Sequence, residues 1–182
     1  MNTMRVIIRP VETKDAPEVL RSVRESLAEV SPWMPGLHSG LHLDDVEGWI
    51  ADSAHNRAEG TGFNFAIVDP AADLFLGGCG LSSFNRGYNF TNLFYWVRTS
   101  QAGKGIATEA ARQVADFAFK RLGMLRVEIV IAKPNEASIR VAEKIGAVRE
   151  GLLRNRVTVR SQTYDAWMYS LIPSDFVEST RE

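Results

Sequence analysis

The spacing of apolar residues changes along the chain, and each change marks a new element. Met4–Arg9 is a short apolar run that predicts a first strand. Asp15–Val30 carries Val19, Leu20, Val23 and Leu27 at helical spacing. A loop dense in Pro and Gly follows at Ser31–Leu41, and Asp44–Ala58 predicts a second helix. Phe63–Asp69, Leu74–Phe84 and Tyr88–Arg98 are then β-branched or aromatic runs. Turn signals at Asp69-Pro70 and Asn85-Arg86-Gly87 separate them. Gly105–Leu122 places Ile106, Ala110, Val114, Phe117 and Ala118 on one face, which suits a helix lying on a sheet. Arg126–Ala132 is an apolar strand and Glu136–Ile145 a short helix. Leu152–Val159 and Thr163–Leu171 form a hairpin around Arg160-Ser161-Gln162.

This order predicts seven strands with helices on the faces of an α/β sheet. The three consecutive strands imply an antiparallel meander, and the strand–helix–strand step after it implies one local parallel pair. No repeat, low-complexity tract or long linker interrupts the pattern, so residues 1–182 are expected to form a single domain.

Composition narrows the function classes. A net charge of −1, from 21 basic and 22 acidic residues, gives no overall field toward nucleic acid or a membrane surface. Cys79 is the only cysteine, which excludes an internal disulfide and suits a reducing compartment. No apolar run approaches membrane-spanning length and the first residues do not read as a secretion signal, so the cytoplasm is the expected location. His38, His42 and His55 lack metal-ligand spacing, and no metal is expected.

Candidate chemistry starts at Thr99–Ala110, "TSQAGKGIATEA". A Walker loop needs Ser or Thr after its lysine, but Gly105 follows Lys104. A dinucleotide fingerprint needs a third glycine where Thr108 stands. Backbone chemistry remains. Gly103 and Gly105 let successive amides turn toward one point, and Ile106, Ala107 and Thr108 add the free N–H groups of a first helical turn. Lys104 adds charge at the rim. An ordinary strand-to-helix turn explains the same glycines.

Downstream, Lys133–Gly151 reads "KPNEASIRVAEKIGAVREG". With "GIATEA", "YWV" at Tyr95–Val97, "PWMP" at Pro32–Pro35 and the terminal "YDAWMYSL", it resembles the GNAT family, the acetyl-CoA-dependent N-acetyltransferases. Within that family it is most similar to the Rim-type branch, which includes bacterial ribosomal-protein N-terminal acetyltransferases. The resemblance spans nearly the whole chain in order. The family's Arg/Gln-x-x-Gly-x-Gly/Ala motif is matched at Ala102–Ala107 except at its first position, since Gln101 stands one residue too early.

The resemblance implies a fold, a donor and a set of residues. The fold is a mixed, mostly antiparallel seven-stranded sheet whose central parallel pair splays apart, with pantetheine of acetyl-CoA in the gap. Backbone groups at Trp96 and Val97 pair with it, and the amides of Gly103, Lys104, Gly105, Ile106, Ala107 and Thr108 hold the pyrophosphate. Asn135 contacts the cofactor, a role compatible with capping the helix after Pro134. Ser138 matches a serine near the sulfur that donates to the leaving thiolate, although a polar residue in a first helical turn is also an ordinary capping pattern. The implied reaction is attack of a neutral amine on a thioester through a tetrahedral intermediate, and no metal takes part.

The acceptor side is less defined. Trp33, Asn92 and Tyr95 are its candidates, with Trp33 more readily read as an aromatic anchor for its Pro-rich loop. Tyr164 or Asp165 could capture the amine, or Asp165 could simply orient the last strand. Where many relatives carry a glutamate base, this chain has Asn92 and Phe94, and a second family acid would fall near Val157. Without a side-chain base, the amine's own pKa decides. At pH 7 an α-amine costs about 1.1 kcal/mol to deprotonate and a lysine about 4.6 kcal/mol. An α-amine acceptor at a protein N-terminus is therefore expected, with waters carrying the proton. Alternatives are a small amine such as an antibiotic or metabolite, or a non-catalytic CoA-binding module. Arg149, Arg154, Arg156 and Arg160 are either a solvated hairpin face or a patch for an acidic partner. A homodimer is left open.

Overall fold

A computed structural model describes residues 6–159 and 161–178. Its strands are β1 (Ile7–Pro10), β2 (Phe63–Asp69), β3 (Leu74–Asn85), β4 (Phe90–Val97), β5 (Arg126–Ala132), β6 (Val148–Val159) and β7 (Gln162–Leu171). Its helices are α1 (Ala16–Glu25), α2 (Leu27–Val30), α3 (Leu43–Glu59), α4 (Ile106–Lys120), α5 (Glu136–Lys144) and α6 (Pro173–Glu178). The strands form one sheet in the order β1-β2-β3-β4-β5-β7-β6. Every neighbouring pair is antiparallel except β4 with β5. The expected mixed α/β sheet is present.

Strand alternation splits the core into two layers. Phe63, Phe65 and Ile67 point to the face covered by α4 and α5, where they meet Ile106, Ala110 and Val114. Ala66, Val68, Phe75 and Trp96 point to the opposite face, against Val19, Val23, Val46 and Ile50 of α1 and α3. The helices thus lie on both faces of the sheet.

Several expected boundaries differ, β6 starting at Val148 rather than Leu152 among them. The helix expected over Asp15–Val30 breaks at Ser26, whose backbone leaves the helical region and whose Oγ accepts the Thr99 amide at 3.0 Å. β4 starts at Phe90 rather than Tyr88, because Asn89 takes a left-handed turn conformation with φ of 53°. A sixth helix closes the described chain. Pro173 opens it, and the Asp175 carboxylate accepts the Ile172 amide at 3.1 Å. Part of the first strand expected over Met4–Arg9, and Arg160 of the hairpin turn, lie outside the described residues.

The "GGCG" run of β3 is required by close approach. A Cβ on Gly80 would sit 2.1 Å from the Phe63 carbonyl oxygen and 2.8 Å from the Phe94 ring. One on Gly78 would meet the Trp96 indole nitrogen at 2.7 Å. Cys79 between them is fully buried, with its thiol pushed up by that burial, and serves as a small core residue. Gly80→Ala should therefore cost about 1–3 kcal/mol of stability through overpacking, read from urea unfolding. An unchanged midpoint would show that β2 and β3 shift freely.

Candidate active site

The site begins where strand pairing ends. β4 and β5 are paired only at Phe90–Arg126, Thr91–Val127 and Asn92–Glu128. β4 then continues beside β3 as far as Val97, while β5 continues beside β7 as far as Ala132. Each strand is held on its outer edge, so the facing inner edges separate. This is the expected splay.

Two cavities open along the gap. The larger, about 520 Å³, lies toward α1, α3 and the loop after α2, with Leu41, Trp49, Phe94 and Val157 among its walls. The other, about 300 Å³, lies toward α4 and α5 and is lined by Val97, Gly103, Gly105 and Thr108. Trp33, Met34, Tyr95, Trp96, Asn135 and Ser138 line both, so the two cavities meet at these residues.

At that junction the Tyr95 hydroxyl donates to the Ser138 carbonyl oxygen at 2.9 Å and stands 2.9 Å from Ser138 Oγ. With the phenol donating to the carbonyl, its oxygen is free to accept the serine proton. Burial raises the Tyr95 pKa above its ordinary value, so the phenol keeps its proton at neutral pH. Asn135 caps α5, its Oδ1 accepting the Ser138 amide at 3.1 Å. The cap fixes the first turn of α5 and with it the serine.

The glycine turn takes the conformation its sequence demands. Gly103 and Gly105 have φ of 78° and 79°, and α4 starts at Ile106 directly after the second. Among the described residues, no amide from Gly103 to Thr108 has a protein acceptor. Lys104 Nζ instead donates to Gln101 Oε1 at 2.8 Å, which gives the out-of-register glutamine a local role. Two cations not singled out in the sequence also line the smaller cavity, Arg140 and Lys144. Their i,i+4 spacing puts them on one face of α5, and that spacing was the available signal.

The remaining candidates fall as follows. Trp33 is half-buried, with its ring centroid 6.0 Å from that of Tyr164, so it anchors the loop and forms a cavity wall at once. Asp165 Oδ1 accepts the Asn155 amide at 2.9 Å, where Asn155 (φ of 49°) sits in an irregular part of β6. Asp165 thus orients the hairpin. Asn92 and Val157 line the larger cavity, and Asn92 Oδ1 is buried without a hydrogen-bond partner. Arg149 stacks over Trp167 at 4.8 Å from its centroid, while Arg154 and Arg156 are exposed.

A latch ties α1 to the glycine turn. Arg98, at the end of β4, donates to Glu25 at 2.5 Å and to the Phe75 carbonyl at 3.3 Å. Glu25 also accepts the Ser100 amide at 2.8 Å, and Thr99 Oγ1 donates to Glu29 at 3.0 Å. The Arg98 guanidinium holds the Glu25 carboxyl at about 2.

A sheet opened at its parallel pair, beside a helix that starts on a glycine turn with free amides, defines the class as an acyl-group transferase. The chain belongs to the acetyltransferase (GNAT) domain family, whose sequence profile matches residues 5–148. It is an N-acetyltransferase. "Probable N-acetyltransferase YjcK" of Bacillus subtilis is 29% identical over 177 residues, covering 93% of this chain and 95% of that protein. A crystal structure described as a probable acetyltransferase superposes with a TM-score of 0.86 at 27% identity, over 93% of this chain and 94% of that one. RimL, described as a ribosomal L7/L12 alpha-N-protein acetyltransferase in complex with coenzyme A, superposes with a TM-score of 0.85 at 16% identity. That match covers 94% of this chain and 95% of the other, and at this identity it speaks for the fold.

The latch makes a prediction about acid stability. Between the ordinary carboxyl value of 4.5 and the folded value of about 2, the unfolded chain binds the Glu25 proton more readily. Stability from this pair is therefore complete above about pH 4.5 and is lost as pH falls toward 2. Glu25→Gln should lower the melting midpoint at pH 7 and flatten the decline between pH 5 and 3. An acid limb identical to that of the parent chain would assign the decline to other carboxylates.

Proposed function

We propose that the chain, acting as one domain in the cytosol, transfers the acetyl group of acetyl-CoA to the α-amine of a protein N-terminus. The observation that carries this reading is the meeting of two cavities at the Tyr95–Ser138 hydroxyl pair. A donor arriving from one side and an acceptor from the other would face each other there, which removes most of the entropic cost of bringing them together.

The residues fit the donor. The unpartnered amides from Gly103 to Thr108, at the positive end of α4, suit a pyrophosphate, and Arg140 and Lys144 in the cavity wall supply charge around it, while Lys104 is turned to Gln101 outside that wall. The inner edge of β4 at Trp96 and Val97, free of β5, suits the amide-bearing arm of coenzyme A. RimL, built on the same fold, was crystallised with coenzyme A. Acetyl-CoA supplies an activated acetyl thioester. Ser138 Oγ carries one proton, which must rotate away from the Tyr95 oxygen to reach a leaving thiolate. Asn135 acts through Ser138 by fixing its turn.

The acceptor follows from what the larger cavity lacks. By the family resemblance, Asn92 and Phe94 stand where many relatives carry a glutamate, and Val157 lies near the place of a second acid. Among the described residues the carboxylate of its wall, Asp45, is exposed and accepts the His42 amide at 2.8 Å. An amine that is already partly neutral at pH 7 suits this wall, and an N-terminal α-amine meets the requirement where a lysine does not. A small-molecule amine is the second reading, favoured by a cavity large enough to enclose one.

Three measurements test the proposal. Acetyl-CoA should raise the melting temperature, and Gly105→Ala, which strains a left-handed position, should reduce that shift. Ser138→Ala should lower kcat at least tenfold with little change in the KM for acetyl-CoA, and Tyr95→Phe should lower it less. At pH 7, peptides with free N-termini should exceed N-terminally blocked lysine peptides by about a hundredfold or more in kcat/KM. Absence of any shift with acetyl-CoA, or equal turnover of the lysine peptides, overturns the reading.

A further inference from the structure

The larger cavity is walled mainly by apolar side chains. Its walls include Val23, Met34, Leu41, Trp49, Phe94 and Val157, from α1, the loop after α2, α3, β4 and β6. Most of its polar groups are already engaged. Asn64 Nδ2 donates to Ser53 Oγ at 2.8 Å and the Asn64 backbone carbonyl accepts from Arg57, while Asp45 accepts the His42 amide. Asn135 and Ser138 belong to the junction with the smaller cavity. The Asn92 carbonyl oxygen, by contrast, is buried without a partner. Trp49, at the same wall, is 41% exposed, a large apolar surface left facing water.

Resting on the N-terminal reading above, we infer that the acceptor carries a bulky apolar or aromatic group beside its amine. An N-terminal Phe, Leu or Met fits, whereas Ala, Ser or a polyamine does not. The amine sits at the junction beside Tyr95 and Ser138, and the adjoining side chain fills the apolar space and covers Trp49. A small Ala or Ser side chain leaves that space unfilled and gains none of the burial. A polyamine brings further positive charges against walls that hold, among the described residues, one carboxylate, Asp45, so its cations beyond the first would be desolvated without partners.

The test is a panel of acceptors with fixed acetyl-CoA, followed by thiol release. Four tetrapeptides differ only in their first residue (Phe, Leu, Ala or Ser), and β-phenylethylamine and spermidine are added. Phe and Leu peptides should exceed Ala and Ser peptides at least tenfold in kcat/KM, with most of the difference in KM. β-Phenylethylamine should exceed spermidine. Trp49→Ala, a change at a partly exposed position, should narrow the Phe-to-Ala ratio by raising KM for the Phe peptide. Val157→Asp should shift preference toward spermidine.

The outcomes separate the two claims. Equal, brisk turnover of all four peptides overturns the inference and leaves the N-terminal reading standing. Acetylation of β-phenylethylamine with no peptide acetylated sustains the apolar pocket and overturns the N-terminal reading. Spermidine as the best acceptor, or no turnover of any member alongside an intact acetyl-CoA shift, overturns both.

Discussion

Everything at the centre of this molecule depends on a parallel pairing that lasts three residues. β4 and β5 share hydrogen bonds from Phe90 to Asn92 and then part, because each is committed to another neighbour. β5 is held along its whole length by β7, from Val127 to Ala132. β4 is held by β3, whose glycines let the Trp96 and Phe94 rings lie across its backbone. Backbone groups that would cost free energy if buried unpaired are left lining a cleft. A sheet edge in the middle of a sheet is thus available to a ligand without any edge strand being exposed to solvent there.

The second organising feature is the set of bonds between α1 and the turn after β4. Arg98, Thr99 and Ser100 reach Glu25, Ser26 and Glu29 across the end of the sheet. The same hydroxyl that accepts the Thr99 amide breaks the first helix, and the chain then turns into the loop carrying Trp33 and Met34. The glycine turn and the loop carrying Trp33 and Met34 are therefore anchored to one cluster of charges.

How much of this was legible from sequence differs by feature. Strand and helix existence followed from period, since Phe63–Asp69 or Gly105–Leu122 admit little else. The splay itself came through the resemblance, because periodicity says nothing about where two parallel strands stop pairing. The break at Ser26 was hidden, as the partner of its hydroxyl lies 73 residues away. The Tyr95–Ser138 pair was hidden for the same reason. Both residues were candidates, but their contact spans 43 positions and depends on the cleft closing around them. α6 was readable in principle from Pro173 and Asp175, whose capping pattern is local.

Burial of the lone cysteine has a practical side. Cys79 sits in the middle of β3, sealed between two helical layers, and its thiol resists ionisation. The proposed reaction releases one thiol for every acetyl group moved, in a protein with no accessible sulfhydryl of its own. Disulfide exchange with the spent coenzyme has no foothold on the described surface, and a colorimetric thiol reagent will count product without a background from the folded enzyme.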